Sequence, residues 1–318
     1  MKETPFFSII IPLYNKASYI GPTLNSIFKQ TFKSYEIVII NDGSTDGSLE
    51  KAKHILKKHT NHLIHSQENK GLSASRNIGA SLSKGKVIAL LDADDIWHEN
   101  FLESIYNLYT TFPEASVYGT DYLEKYSDSN IIETKKNIDP KLKNKALLIE
   151  DFFIANKFQS IVCQSSIAFR KKVLSEIAFD ESIDYAEDVD FYLKCFTNHN
   201  LAYDYTPLTT ILSNIPNQIT RQGIKNKTIP NLNFYEKNNP QNNSLKQFLD
   251  SKRYAYAIEY KLAKDASNFN HLIKSLDFGN LNLKQKVLLK SPLFFLKFLK
   301  SIKKLLLKYN IRITSFSN

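Results

Sequence analysis

Val87-Ile88-Ala89-Leu90-Leu91-Asp92-Ala93-Asp94-Asp95 is an apolar run that stops on three carboxylates within four residues. A short apolar run bounded by turn residues reads as a strand. The acids at its end repel one another, and a protein tolerates such crowding most readily when a cation sits among them. Their oxygens are hard ligands for Mg²⁺ or Mn²⁺, which could in turn neutralise the charge of a departing diphosphate. The alternative reading is an exposed acidic turn that caps the helix starting near Glu99.

On either side of this run the same grammar repeats. Phe7 to Leu13, Tyr35 to Ile40, Lys86 to Leu91 and Ala115 to Tyr118 read as strands. Between them Ile20, Leu24, Ile27 and Phe28 recur at helical spacing, as do Leu49, Ala52 and Leu56, then Ala74, Ile78 and Leu82, then Phe101, Ile105 and Leu108. The alternation predicts an α/β fold, a mostly parallel sheet flanked by helices, with ligands at the carboxyl ends of the strands. Three strand ends carry polar groups: Pro12-Leu13-Tyr14-Asn15, Asn41-Asp42-Gly43-Ser44-Thr45-Asp46 and the acidic turn at 92–95. Residues 130–144 are polar and charged and read as a loop, and 186–196 are amphipathic after an acidic pair. From about Ser213 to Ser244 the chain is rich in Asn, Pro and Gln, the composition of a linker. Residues 1–215 are therefore expected to form the ligand-binding domain, and 216–318 a helical extension.

Asp42 stands where a carboxylate can accept a hydrogen bond from a base or a ribose hydroxyl, although Asp-Gly-Ser is also an ordinary turn. Tyr14 could stack on a base or simply lie at the rim. The stretch from Asn69 to Asn77 joins a glycine-bearing loop to a helix whose N-terminal amides, with the Arg76 cation, would suit a diphosphate; a surface ion pair is the other use for Arg76. Glu187-Asp188 opens a helix. One of these carboxylates could take a proton from an attacking hydroxyl, or the pair could only favour the helix dipole.

The formal charge of +10 looks like a nucleic-acid signal, but residues 280–318 hold nine Lys and Arg and no acid, so the rest of the chain is close to neutral. This basic tail is also rich in Leu, Phe and Ile, unlike a solvated nucleic-acid arm, and no nucleic-acid partner is expected. Residues 293–309 read as an amphipathic helix suited to an anionic membrane surface, or alternatively to packing on the body. No leader is read at the N-terminus, and the two cysteines, Cys163 and Cys195, lie far apart without a metal motif, so a cytoplasmic chain with reduced thiols is expected. His54, His59, His62 and His65 lack metal-ligand spacing.

Taken in order, Ser8-Ile9-Ile10-Ile11-Pro12-Leu13-Tyr14-Asn15, Asn41 to Asp46, Asn69-Lys70-Gly71 through Ser75-Arg76-Asn77, Asp92 to Asp95, and Phe179-Asp180-Glu181 leading to Glu187-Asp188 resemble family 2 of the inverting glycosyltransferases, which have the GT-A fold. The resemblance covers roughly the first two thirds of the chain. It implies a nucleotide-sugar site of Pro12, Tyr14, Asn15, Asp42, Arg76, Asp92 and Ala93, in which Pro12 and Tyr14 border the base, Asp42 contacts it, Arg76 approaches the diphosphate and Asp92 faces the ribose or the metal. It implies Asp94 as principal ligand of Mn²⁺ or Mg²⁺ with Asp92 and Asp95 beside it, and Asp188 as catalytic base next to Glu187. A UDP-sugar donor, a glycan or lipid-linked saccharide acceptor, a role in surface-polysaccharide assembly and attachment to the cytoplasmic face of the inner membrane are further implications. Asn41 replaces the family's usual first Asp, Ser75 its usual Ala, and Leu212 to Arg221 offers Asn217, Gln218, Thr220 and Arg221 but no histidine. The competing class is a non-catalytic sugar-nucleotide-binding or membrane-recruitment module of the same fold. Nucleotidyl transfer is disfavoured by the lack of a glycine-rich basic phosphate loop, and processive synthesis by the lack of a Gln-x-x-Arg-Trp motif.

Overall fold

The computed structural model describes residues 4–213, 215 and 223–316. Strand and helix alternate through β1 (Phe7–Leu13), α1 (Ile20–Phe28), β2 (Tyr35–Asp42), α2 (Ser48–Leu56), β3 (His62–Gln67), α3 (Leu72–Leu82) and β4 (Val87–Leu90). These strands lie in the order β3-β2-β1-β4, all parallel. Phe7, Ile9, Ile11 and Leu13 of β1 enter one apolar core with α1 and α2, while Ile10 enters the core on the opposite face. With both faces covered, no polar alternation is left in the sequence. A Cβ on Gly79 of α3 would stand 2.4 Å from Ile10 Cγ2, so only glycine lets the helix lie this close to β1.

The second half of the sheet is mixed. It comprises β5 (Ile96–Trp97), β6 (Val117–Ser127), β7 (Asn130–Glu133), β8 (Ala146–Ile149), β9 (Ile167–Arg170) and β10 (Leu201–Leu212), with α4 (Phe101–Thr111), α5 (Phe152–Ala155), α6 (Lys171–Glu176) and α7 (Glu187–Cys195) between them. β9 runs antiparallel between β4 and β6, and β10 pairs parallel with β6 and antiparallel with β5 and β8. The expected α/β class with a mostly parallel sheet is what the chain forms.

Three local expectations change. β3 is an edge strand with most side chains exposed, and it was not legible as a strand. β6 runs to Ser127 rather than ending at Tyr118. The stretch expected as a loop, 130–144, supplies β7 and the side chain of Lys136, whose ammonium is buried 3.3 Å from Asp121 of β6, donates to Ser160 O at 2.6 Å and lies over the Tyr122 ring.

The C-terminal helices are α8 (Leu232–Asn238), α9 (Asn243–Leu262), α10 (Ala266–Lys274), α11 (Leu283–Lys290) and α12 (Leu293–Leu307). Phe248, Leu249, Tyr256 and Ala257 of α9 share one core with Ile88 and Leu90 of β4 and Phe191 of α7, so the region beyond 215 builds on the sheet rather than around a core of its own. The expected linker likewise contains α8 and a buried Ile224. Asn217, Gln218, Thr220 and Arg221 lie outside the described residues. No helix among the described residues is long and apolar enough to cross a membrane.

Candidate active site

The carboxyl ends of β1, β2 and β4 meet the N-terminus of α7, and each delivers polar side chains for a local reason. After β1, Asn15 takes a left-handed backbone (φ 50°), and its Oδ1 accepts from Thr45 N at 2.8 Å, so the first two strand ends are tied together. Pro12 is buried within β1, and Tyr14 is exposed at the rim. After β2, the Asp42 carboxylate accepts from Gln67 Nε2, Lys70 N and Gly71 N, all at 2.8 Å. Gly71 has φ 93°, a conformation few side chains permit, and it brings those amides round to one carboxylate. Asp42, expected to contact a base, is buried and organises the loop into α3.

Beyond β4, the three acids of the turn are each matched by a different partner. Asp92 Oδ1 lies 3.1 Å from Arg76, and Asp94 Oδ2 lies 2.6 Å from the ammonium of Lys16. Asp95 is buried, its oxygens accepting from Ser165 Oγ at 2.5 Å and Leu212 N at 3.1 Å. Burial, and then the charges of Asp94 and Asp92, hold the Asp95 carboxyl well above the usual range. Burial also raises Asp94, against the opposing pull of Lys16. Asp95 therefore points into the protein, and the residues around it explain its place. Ser165 Oγ also accepts from Asp92 N at 3.0 Å, and Ser165 O accepts from Trp97 Nε1 at 2.6 Å. One serine locks the acidic turn to β5, and Ala93 O, accepting from Thr23 Oγ1 at 3.0 Å, fixes it to α1.

Arg76 joins this turn to the far motif. Its side chain is 1% exposed, with one guanidinium nitrogen on Asp92 and another 3.1 Å from Glu187. Burial alone would lower its pKa, but the charges of Asp92 and Glu187 outweigh that and raise it. Asn77, next on α3, exchanges hydrogen bonds of 2.9 Å with the backbone of Phe179 and donates to Glu181. Two consecutive helical residues thereby hold the 179–188 segment against the strand ends. Arg76 was expected at a diphosphate; in this structure its cation stands between two carboxylates. Glu187, raised by burial and by Asp188 against the pull of Arg76, begins α7 after Ala186, which has φ 61°. Asp188 Oδ1 is engaged only locally, with Val189 N at 2.9 Å.

Residues that the sequence reading did not single out complete the setting: Lys16, Ser165, Tyr192 of α7, and Lys252 and Tyr256 of α9. The hydroxyls of Tyr192 and Tyr256 are buried without a hydrogen-bond partner among the described residues, and the charge of Asp188 acts on both and on Lys252. The C-terminal helix α9 is therefore part of the surroundings of Asp188. Two open clefts, of about 590 and 660 Å³, lie elsewhere and include none of these carboxylates.

A fit to a divalent cation can be judged from the donor set. Among the described residues no three acids, cysteines or histidines converge into a cage. Asp92 and Asp94 each keep one oxygen outside their ion pairs, and a cation of the Mg²⁺ type is ordinarily held by one or two carboxylates together with substrate phosphates rather than by an all-protein cage. The residues fit such a shared site. Asp95, expected as a third ligand, has both oxygens in protein hydrogen bonds.

A profile described as Glycosyl transferase family 2 matches residues 8–178, which includes β1, the Asp42 turn, α3 and the acidic turn. The chain belongs to glycosyl transferase family 2. It is 32% identical over 209 residues to an uncharacterized glycosyltransferase of Haemophilus influenzae, covering 63% of this chain and 64% of that one. It is 36% identical over 124 residues to glycosyltransferase GlyG of Streptococcus pneumoniae, covering 39% of this chain and 41% of that one. The match thus spans less than two thirds of either relative. Among solved structures, S. aureus TarS 1-349 in complex with UDP-GlcNAc superposes with a TM-score of 0.54 at 16% identity, covering 96% of this chain and 83% of that one. Mannosyltransferase PcManGT from Pyrobaculum calidifontis, in complex with GDP-Man and Mn²⁺, gives 0.51 at 15% identity, covering 97% and 84%. At such identities the likeness is one of fold, and the fold is that of GT-A glycosyltransferases.

Proposed function

We propose that this family 2 chain is a metal-dependent inverting glycosyltransferase that moves a sugar from a nucleotide-sugar donor, a UDP-sugar by expectation, to a hydroxyl of a glycan or lipid-linked saccharide. The observation that carries the reading is the Arg76 bridge: one buried cation links Asp92 of the acidic turn to Glu187 beside Asp188, so the donor end and the base end form a single site. That two structural neighbours of the same fold are complexes with UDP-GlcNAc and with GDP-Man supports a nucleotide-sugar donor.

In this reading Asp94 and Asp92 are the residues that would hold Mn²⁺ or Mg²⁺ beside the donor diphosphate, and the cation would supply Lewis-acid stabilisation of the leaving group. Asp42 keeps the loop before α3 in shape, with Tyr14 and Asn15 at the edge open to a base. Asp95 is a positioning residue that fixes the turn through Ser165. Asp188 takes the proton of the acceptor hydroxyl as it attacks the anomeric carbon, and one displacement inverts the configuration. Glu187 is occupied by Arg76, which leaves Asp188 the freer base. Acceptors of this kind suit surface-polysaccharide assembly at the cytoplasmic face of a membrane.

The test is release of nucleoside diphosphate from a panel of UDP- and GDP-sugars with Mn²⁺ or with chelator, with the product anomer read by NMR. Asp188→Asn is expected to reduce turnover by at least 100-fold while nucleotide still raises the melting temperature. Binding of nucleotide without turnover of any donor by the unaltered chain would instead favour the non-catalytic module.

A further inference from the structure

Ten of the fifteen large apolar side chains exposed among the described residues lie from Phe278 onward. Leu283 and Val287, one turn apart on α11, are 77% and 53% exposed, and Phe294 and Phe298 on α12 are 74% and 59% exposed. In α12 only Leu296 is buried. At about 100° per residue, Phe294, Phe298 and Leu305 fall on the face opposite Leu296, while Lys297, Lys304 and Lys308 share one flank of that stripe. The helix is held in place at its far end, where Leu307 O accepts from Asn130 Nδ2 and Asn310 reaches Ser129 O at 3.4 Å. The stripe is therefore presented outward by the fold rather than left on a loose tail.

Charge decides what can cover it. Residues 280–318 contain no Asp or Glu, and the tail's ion pairs to the body, Lys300 with Glu259 and Arg312 with Glu124, leave Lys290, Lys297, Lys304 and Lys308 beside the apolar residues without an acidic partner among the described residues. A second copy docking through the same face would set lysines against lysines. A nucleic acid would leave phenylalanines in water. A bilayer surface satisfies both halves of the pattern, since rings and leucines enter the acyl boundary while ammoniums meet anionic headgroups.

We propose that α11 and α12 form a docking surface for anionic lipid bilayers, with Leu283, Val287, Phe294, Phe298 and Leu305 as the inserted residues and Lys297, Lys304 and Lys308 as the headgroup contacts. The inference extends the lipid-linked acceptor of the proposed function, but vesicle binding does not depend on the chemistry being right.

The experiment is flotation of the full chain with vesicles of phosphatidylcholine alone or with 30% phosphatidylglycerol, at low and high salt. Each lysine near an anionic surface is worth roughly fivefold in partitioning. Binding to the phosphatidylglycerol vesicles is expected to exceed that to the neutral ones by at least tenfold and to fall at high salt. Lys297→Glu/Lys304→Glu and, separately, Phe294→Ser/Phe298→Ser are each expected to cut it tenfold or more with the melting temperature unchanged. No binding to anionic vesicles, or binding that neither pair of substitutions changes, overturns the proposal. So does a dimer in gel filtration that Phe294→Ser/Phe298→Ser dissociates, because the face then belongs to a second copy. A chain that turns over donors yet ignores vesicles fails here alone, and one that binds vesicles without turnover fails only in the catalytic reading.

Discussion

Lys16 should compete with the metal. Its ammonium lies 2.6 Å from Asp94 Oδ2, and the two side chains are 15% and 13% exposed, so the pair is neither a surface contact nor sealed in the core. Exposed pairs contribute at most about 1 kcal/mol, and breaking fully buried ones costs about 3–5 kcal/mol. An intermediate figure of about 1–2 kcal/mol is the energy an incoming cation must overcome at Asp94, and it corresponds to roughly 5- to 30-fold in affinity. Lys16→Met keeps the aliphatic stem and removes the charge. The substitution is expected to tighten Mn²⁺ binding by that factor in the absence of nucleotide, measured at pH 7.5 as the loss of the free-Mn²⁺ EPR signal on titration with protein. Removing any lysine makes the protein less positive and should favour Mn²⁺ slightly at long range; Lys51→Met, whose ammonium donates to Ala17 O rather than to an acid, is therefore the control, expected to change the affinity little. If Lys16→Met and Lys51→Met move the affinity equally, or Lys16→Met weakens it with the melting temperature preserved, the ammonium is not standing in for the cation.

Arg76→Met leaves Glu187 beside Asp188 with no cation, and the expected loss is about 3 kcal/mol at pH 7 in urea unfolding. A loss below about 1 kcal/mol would mean that the bridge is not what holds the two motifs together. Lys136→Met leaves Asp121 buried and unpaired, at an expected cost of about 3–5 kcal/mol at neutral pH. Burial already holds the Asp121 carboxyl above its ordinary value, with Lys136 opposing. A carboxyl raised in the folded state binds protons there first, so stability is lost as pH rises through the folded pKa and is regained as pH falls back toward the unfolded value near 4. Urea midpoints of Lys136→Met relative to the unaltered chain should therefore recover in part between pH 7 and pH 5, and a constant difference would contradict the assignment.

How much of this was open to reading depends on where each signal lives. β1, β2 and β4 announced themselves because strands covered on both faces must be apolar throughout, and Ile9, Ile10 and Ile11 show that pattern in three consecutive residues. β3 gave no such signal: His62, Leu63, His65 and Ser66 face solvent, and the strand is held by its backbone ladder to β2. β6 was read only as far as Tyr118, and the 130–144 stretch as loop, for a related reason, since Asp121 and Lys136 compensate one another across a distance that local composition does not encode. For Arg76 a signal did exist. It stands among Ser73, Ala74, Ser75 and Gly79, and a helix face of such small residues must lie close against the sheet, so a long cation on that face had to find buried acids.

The acidic turn shows where the reading of its charges was incomplete. Crowded carboxylates are most readily tolerated with a cation among them, and the fold also meets the repulsion with protein partners in three directions: Asp92 with Arg76, Asp94 with Lys16, and Asp95 inward with Ser165 and Leu212. The three partners are not equivalent. Arg76 is fully buried and shared with Glu187, and Ser165 is tied into β5, so neither can leave without disturbing the motifs around it. Lys16 is a single ammonium on a flexible stem at the rim. In the proposed metal-dependent reading, Asp94 is the acid whose partner a cation would displace at the smallest cost to the rest of the site, which would make the Lys16 contact the point where donor and cation binding are coupled.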